Sequence, residues 1–200
     1  MAGSSNARRY TVNNRLYRWH IQQFLNALGQ LVEATQPQTV LDVGCGEGFV
    51  AAFLKKRMPE THITGVDLSE TALAYARQHF GQCATFQQAD IYQLPFPDQA
   101  FDTVVCSEVL EHLDDPDRAM RELKRVARRY VVITVPLEPY FQWLNRLGQW
   151  LGVSEDPGHV QFWTRSGFEQ FVRRHLPKAK ITRKHIYQLA QGPVAFAASY

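Results

Sequence analysis

No apolar run in the sequence approaches the roughly 18 residues that a membrane-spanning helix needs. The opening Met1-Ala2-Gly3-Ser4-Ser5 is polar and lacks the apolar core of a secretion signal. Cysteine is scarce. Cys45, Cys83 and Cys106 are odd in number and lie in or beside expected strands, which favours buried thiols in a reducing cytoplasm over disulfides. Strong charge of either sign is missing too: a net charge of +3 neither demands nor excludes nucleic acid. Repeats, low-complexity tracts and linker-like boundaries are absent, so residues 1–200 read as one domain. Its length is enough to bury a core without staples.

What the chain does have is alternation. Apolar runs of strand length recur near 39–43, 62–66, 84–88, 101–106 and 130–135. Between them the spacing predicts helices near 47–57, ended by Pro59, and from Ser69 as N-cap to about Phe80, stopped by Gly81. Further helices are predicted from Asp115-Pro116 through Val126, and near 165–175. The basic face of the first, Arg121, Lys124, Arg125, Arg128 and Arg129, reads most simply as a solvated surface. The runs Ala179 to Leu189 and Val194 to Tyr200, separated by Gly192-Pro193, read as a final strand pair. Strands alternating with helices imply a doubly wound, mostly parallel sheet. The first ten or so residues are expected to be unordered. Leu16, Trp19, Phe24, Leu25, Leu28, Leu31 and Val32 then predict an N-terminal helical cap within 1–35, packed at its plainest on the sheet. An insertion at 137–160 follows the fifth strand and is rich in large residues, including Tyr140, Phe141, Trp143 and Trp150.

Val40-Leu41-Asp42-Val43-Gly44-Cys45-Gly46-Glu47-Gly48 is the organising stretch: a strand, a tight glycine turn, and a helix at once. Ligands of such sheets sit beyond the carboxyl ends of the strands, where the helix's unpaired N–H groups point. Asp67 ends the second strand 21 residues after Gly46, the usual place for an acid that grips a ribose diol. That much fits nicotinamide and flavin nucleotides as well as S-adenosylmethionine. Three details tilt the choice. The spacing is Gly-x-Gly-x-Gly, Asp42 puts a carboxylate where a pyrophosphate would be repelled, and Asp90 ends a third strand where an adenine amino group could be read.

Leu41 to Gly48, Gly65-Val66-Asp67-Leu68-Ser69, Ala89-Asp90 and Phe101-Asp102-Thr103-Val104-Val105 resemble, in order, the motifs of the class I S-adenosylmethionine-dependent methyltransferases, of the type 11 kind. The resemblance implies a Rossmann-like, doubly wound, mostly parallel seven-stranded α/β sheet with an antiparallel last strand. It also implies S-adenosylmethionine as cofactor. Asp42, Gly44, Cys45 and Gly46 would shape the methionine side, Asp67 would hold the ribose, Leu68 would pack on adenine, Asp90 and Ile91 would read its edge, and Ser107 would lie near the methyl group.

After the fourth strand, Glu108, Glu111 and His112 fall at i, i+3 and i+4, and would share a face if that stretch is helical. Glu-x-x-Glu-His followed by a distant histidine, His159, resembles the O-methyltransferases of ubiquinone biosynthesis and the enzymes that methylate the terminal ribose of small RNAs. By that resemblance Glu108, Glu111, His112 and His159 would ligate a divalent metal, Mg²⁺, Mn²⁺, Co²⁺ or Zn²⁺. Without a metal, His112 or His159 would serve as general base, with Glu108 beside it. The expected reaction is methyl transfer to a small or lipid-like acceptor at a hydroxyl oxygen, in the cytoplasm. The aromatic insertion suggests a greasy acceptor, or peripheral contact with a membrane surface, against the plainer reading of a lid or a dimer contact. Rival readings are an RNA ribose methyltransferase using Arg173, Arg174, Lys178, Lys180, Arg183 and Lys184, and a non-catalytic binding module. A nicotinamide oxidoreductase is the weakest.

Overall fold

The computed structural model describes residues 15–137, 160–184 and 187–194. Helix α1 (Arg15–Glu33) precedes β1 (Thr39–Val43), α2 (Phe49–Arg57), β2 (His62–Asp67), α3 (Glu70–Phe80), β3 (Thr85–Gln88) and β4 (Phe101–Ser107). A short 3-10 turn (Leu110–His112) then leads to α4 (Pro116–Val126), β5 (Ala127–Pro136), α5 (Arg165–His175), β6 (Lys180–Lys184) and β7 (Tyr187–Pro193). The seven strands form one sheet in the order β3-β2-β1-β4-β5-β7-β6. β1 to β5 pair in parallel, and β7 runs antiparallel between β5 and β6. That is the expected architecture.

The strands are apolar on both sides because both faces are covered. One face packs α1, α2 and α3 around Leu28, Val40, Leu54, Leu73 and Val105. The other packs α4 and α5 around Leu41, Val104, Leu123, Ile133 and Phe168. The described part of the N-terminal helix lies on the sheet, beside α2 and β5 to β7. Arg57 ties it down by donating to both Glu33 oxygens at 2.6 Å.

Local capping follows the expected chemistry. Ser69 accepts from the Ala72 N–H and Asp115 from the Arg118 N–H, at the starts of α3 and α4. Two expectations do not hold. The last strand pair is Lys180–Lys184 with Tyr187–Pro193, and Gly192-Pro193, expected between the two strands, closes β7 opposite Val131 and Tyr130. Proline is tolerated there because a strand end needs no further ladder donor. The second concerns Arg125, Arg128 and Arg129, expected on a solvated helix face. β5 begins at Ala127, so Arg128 is a strand residue whose guanidinium meets the buried Asp102. Asp102 also accepts from the Gln38 and Thr39 N–H groups at 2.9 and 3.0 Å. Burial alone would raise its carboxyl, but Arg128 and those N–H groups hold it below the usual range.

Arg125 clamps the irregular segment after β3. It donates to Leu94 O, Phe96 O and Asp98 Oδ1 at 2.7–3.0 Å, and to both Glu122 oxygens at 2.8 Å. Arg125→Ala is expected to lower stability by about 2–3 kcal/mol, or roughly 5–10 °C in melting temperature, readable by differential scanning calorimetry.

Candidate cofactor and acceptor site

The carboxyl ends of β1, β2 and β4 meet at the glycine turn. The Gly44 and Cys45 N–H groups both donate to Val66 O, at 2.8 and 3.0 Å, so the turn is stitched to β2. Gly46 has φ of +51° and Gly48 of +83°, left-handed values that favour glycine. The two positions differ in purpose. A Cβ at Gly48 would meet Phe86 Cζ at 2.8 Å, so this glycine is needed for packing. A Cβ at Gly46 would meet nothing within 4 Å: the space above it is open to a ligand. Gly48 also caps α2 without any side-chain hydrogen bond, leaving first-turn N–H groups for a polar ligand.

Two carboxylates frame that space. Asp42 is 2% exposed, and its Oδ2 has no hydrogen-bond partner. Burial, then the nearby Asp67 carboxylate, push Asp42 up to about 7. An unsatisfied buried carboxylate beside a second acid is the complement of a cationic ligand group. Asp67 accepts from the Gly46 N–H through Oδ2 and from the Ser69 N–H through Oδ1, each at 2.8 Å. It therefore orders the glycine turn and the start of α3 while keeping lone pairs for two hydroxyls.

Leu68 is 69% exposed, an apolar surface of the kind a flat base covers. Asp90 is exposed, with Oδ1 accepting from the Tyr92 N–H at 2.8 Å, and Ile91 is half-buried against the core. Cys45 differs from expectation in one respect: its side chain turns into the core against Gly65, so only its main chain faces the turn. Its thiol is pushed up by burial and by the Asp42 and Asp67 carboxylates.

At the carboxyl ends of β4 and β5, Ser107, Glu108 and Thr134 form a chain. Thr134 Oγ1 donates to Glu108 Oε1 and takes the Ser107 hydroxyl, both at 3.1 Å. Thr134 is absent from the residues that the sequence motifs point to, although a lone hydroxyl in an otherwise apolar run is its signal. Glu108, Glu111 and His112 do not share a helix face. Glu108 has φ of +57° and its N–H is held by Thr134 O, so the chain leaves β4 in a left-handed kink and only a three-residue 3-10 turn follows. Glu111 is 1% exposed whereas His112 is exposed. The shared face fails because α-helical spacing does not apply across a kink and a 3-10 turn. Among the described residues no three His, Cys, Asp or Glu side chains come together as a metal site. His159 and the aromatic insertion from 138 lie outside the described residues. The chain returns at Val160 and Gln161, whose N–H groups both donate to Glu111 O at 2.8 Å. No helix of the described residues is long and apolar enough to cross a membrane.

The glycine turn with open space above Gly46, the buried Asp42 with its unpartnered Oδ2 and the strand-end Asp67 thus stand together at the carboxyl end of the sheet. Residues 41–133 match the family described as methyltransferase domain. Over 145 residues the chain is 34% identical to a demethylmenaquinone methyltransferase of Thermus thermophilus, covering 66% of this chain and 64% of that one. It is 33% identical over 108 residues to a ubiquinone biosynthesis O-methyltransferase of Alkalilimnicola ehrlichii, covering 52% and 43% respectively. The chain thus spans less than two thirds of the length of these curated relatives. In structure it is similar to the magnesium protoporphyrin IX methyltransferase of Synechocystis with bound S-adenosylhomocysteine, at a TM-score of 0.71, 18% identity and 96% coverage of both chains. Residues 41–133 are thus similar to a methyltransferase domain, and the chain shares the fold of a methyltransferase solved with bound S-adenosylhomocysteine.

Proposed function

We propose that this chain transfers a methyl group from S-adenosylmethionine to a small or lipid-like acceptor of the hydroquinone kind, at a hydroxyl oxygen. The observation that carries the cofactor is the unpartnered Asp42 Oδ2 beside the open space over Gly46. Asp42 would take the ammonium, Asp67 the ribose hydroxyls, Leu68 a face of the adenine, and Asp90 with Ile91 its edge. The acceptor class is supported by the quinone-directed names of the relatives, and by the half-exposed Val160 and Phe162 on the strand of chain hydrogen-bonded to Glu111.

When bound, S-adenosylmethionine would supply the electrophilic methyl carbon of a sulfonium, with the thioether S-adenosylhomocysteine as leaving group. The protein's share is in-line placement, where effective molarity can contribute on the order of 7–11 kcal/mol. A phenolic acceptor, with pKa of about 10, must also lose a proton. His112, exposed at the end of the 3-10 turn, is the described candidate base, and Glu108, fixed by Thr134, is the carboxylate nearest the Ser107 end of β4. His159, the chain neighbour of Val160, is the second candidate, either as base or as a metal ligand with Glu108, Glu111 and His112. The three unbridged cysteines support a reducing compartment such as the cytoplasm.

The test is calorimetric titration with S-adenosylhomocysteine, followed by transfer of labelled methyl to a panel of hydroquinones and catechols. Micromolar binding and labelling of a phenolic oxygen are expected. Binding without labelling of any oxygen acceptor overturns the acceptor assignment, and no binding overturns the cofactor assignment. Titrating Mn²⁺ into the S-adenosylhomocysteine complex, with and without His159→Ala, decides the metal: no heat in either protein removes it.

A further inference from the structure

The segment between β3 and β4 carries Asp90, yet between Gln88 and Phe101 it forms no named strand or helix. What holds it is one face of α4. Asp115, Arg118, Glu122 and Arg125 recur at helical spacing, and each of the four grips this segment. The Asp115 N–H donates to Tyr92 Oη at 3.1 Å. Arg118 donates to Tyr92 O at 3.4 Å, and its guanidinium lies 5.0 Å from the centre of the Tyr92 ring. Glu122 accepts from the Leu94 N–H at 3.1 Å, and Arg125 takes three acceptors between Leu94 and Asp98.

Tyr92 is where this grip reaches the site. Its own N–H donates to Asp90 Oδ1 at 2.8 Å, and the Gln93 N–H donates to Asp90 O at 3.0 Å. Asp90 is exposed, so nothing in the core fixes its carboxylate. One oxygen is set by the main chain of Tyr92, which leaves Oδ2 free to accept. The ring of Tyr92 is in turn set by α4. The same helix starts at Asp115, three residues beyond His112, so the adenine edge and the acceptor-side turn are joined through a single phenol.

We infer that Tyr92 and Arg118 are positioning residues that hold Asp90 in register with the adenine edge, and thereby set the base selectivity of the cofactor. This rests on S-adenosylmethionine being the cofactor. An amino group donates to a carboxylate, whereas an oxygen at the same ring position is repelled by it. Selectivity for adenine over hypoxanthine is therefore the quantity the grip controls.

The experiment compares binding of S-adenosylhomocysteine and S-inosylhomocysteine by calorimetry, in the full chain and in Asp90→Ala, Tyr92→Phe and Arg118→Met. The unsubstituted chain is expected to prefer adenine by about tenfold or more, and Asp90→Ala to abolish the preference. Tyr92→Phe keeps the ring and loses only the acceptor for the Asp115 N–H. It and Arg118→Met are each expected to reduce the preference about fivefold, through looser placement of one hydrogen bond, with melting temperature changed by only a few degrees. A merely structural role would weaken both ligands equally and leave their ratio unchanged, and that result overturns the inference. If the unsubstituted chain binds both ligands equally, Asp90 is not the base reader. If it binds neither, the cofactor assignment itself fails.

Discussion

Asp42→Asn is expected to raise the melting temperature of the cofactor-free protein at pH 8 by on the order of 10 °C, while weakening S-adenosylhomocysteine binding about 10- to 100-fold. Both effects come from one carboxyl. Its folded value is about 7, raised by burial and by Asp67. An aspartate in an unfolded chain titrates near about 3.9. The folded state therefore holds this proton more tightly than the unfolded state. The stability it contributes is complete below about pH 4 and is lost as the pH rises through about 7. The gap between those two values, at about 1.4 kcal/mol per pH unit, corresponds to roughly 4 kcal/mol, an order of magnitude for what asparagine recovers at pH 8. Asp102, Glu122 and Glu33, all held below the usual carboxylate range by their arginine partners, act in the opposite sense and only at the acid end. Their contribution is present above about pH 4 and lost below it. The difference between parent and variant thus isolates Asp42. A ligand ammonium binds the ionised form, so cofactor binding between about pH 4 and 7 is expected to release a proton to buffer. Calorimetry in buffers of different ionisation enthalpy reads this directly. A variant with unchanged melting temperature and unchanged affinity removes Asp42 from the site.

Asp67→Asn is expected to be nearly as damaging to binding as Asp67→Ala, each weakening S-adenosylhomocysteine by about 30- to 1,000-fold. Asparagine is usually the mild replacement, and here it is not. Both Asp67 oxygens already accept main-chain N–H groups, from Gly46 and from Ser69. An amide turns one acceptor into a donor, so one of those N–H groups must face an NH₂. Either the glycine turn or the α3 start loses its anchor, and the ribose loses an anionic acceptor as well. The folded state tolerates this far better than the ligand does, because the residue lies at the rim of the cleft. Melting temperatures of the two variants are expected within about 5 °C of the parent. If Asp67→Asn binds as tightly as the parent, the carboxylate is ordering the loop and not gripping the ligand.

Much of the fold is legible in the chain because strands, caps and glycine turns are local. Ser69, Gly81 and Asp115-Pro116 bound their helices as spacing and capping chemistry require. The seven-stranded order with one antiparallel strand follows from alternation together with family resemblance. The parts that escape depend on which distant segments meet. Arg125 and Arg128 look like a solvated face, because nothing local reveals that Leu94, Phe96 and Asp102 come to them. Gly192-Pro193 looks like a turn, because a strand end and a turn share that composition. Glu108, Glu111 and His112 look like one helical face, because a left-handed φ at a glutamate leaves no trace in residue type.

The kink at Glu108 has an evolutionary meaning. A glutamate at φ of +57° costs roughly 1 kcal/mol or more relative to glycine in the same conformation. A random library at this position, screened only for expression and protease resistance, is expected to enrich glycine and asparagine. Screened for methyl transfer, the same library would keep the carboxylate, so the two selections tell whether Glu108 is inherited for its backbone or for its charge.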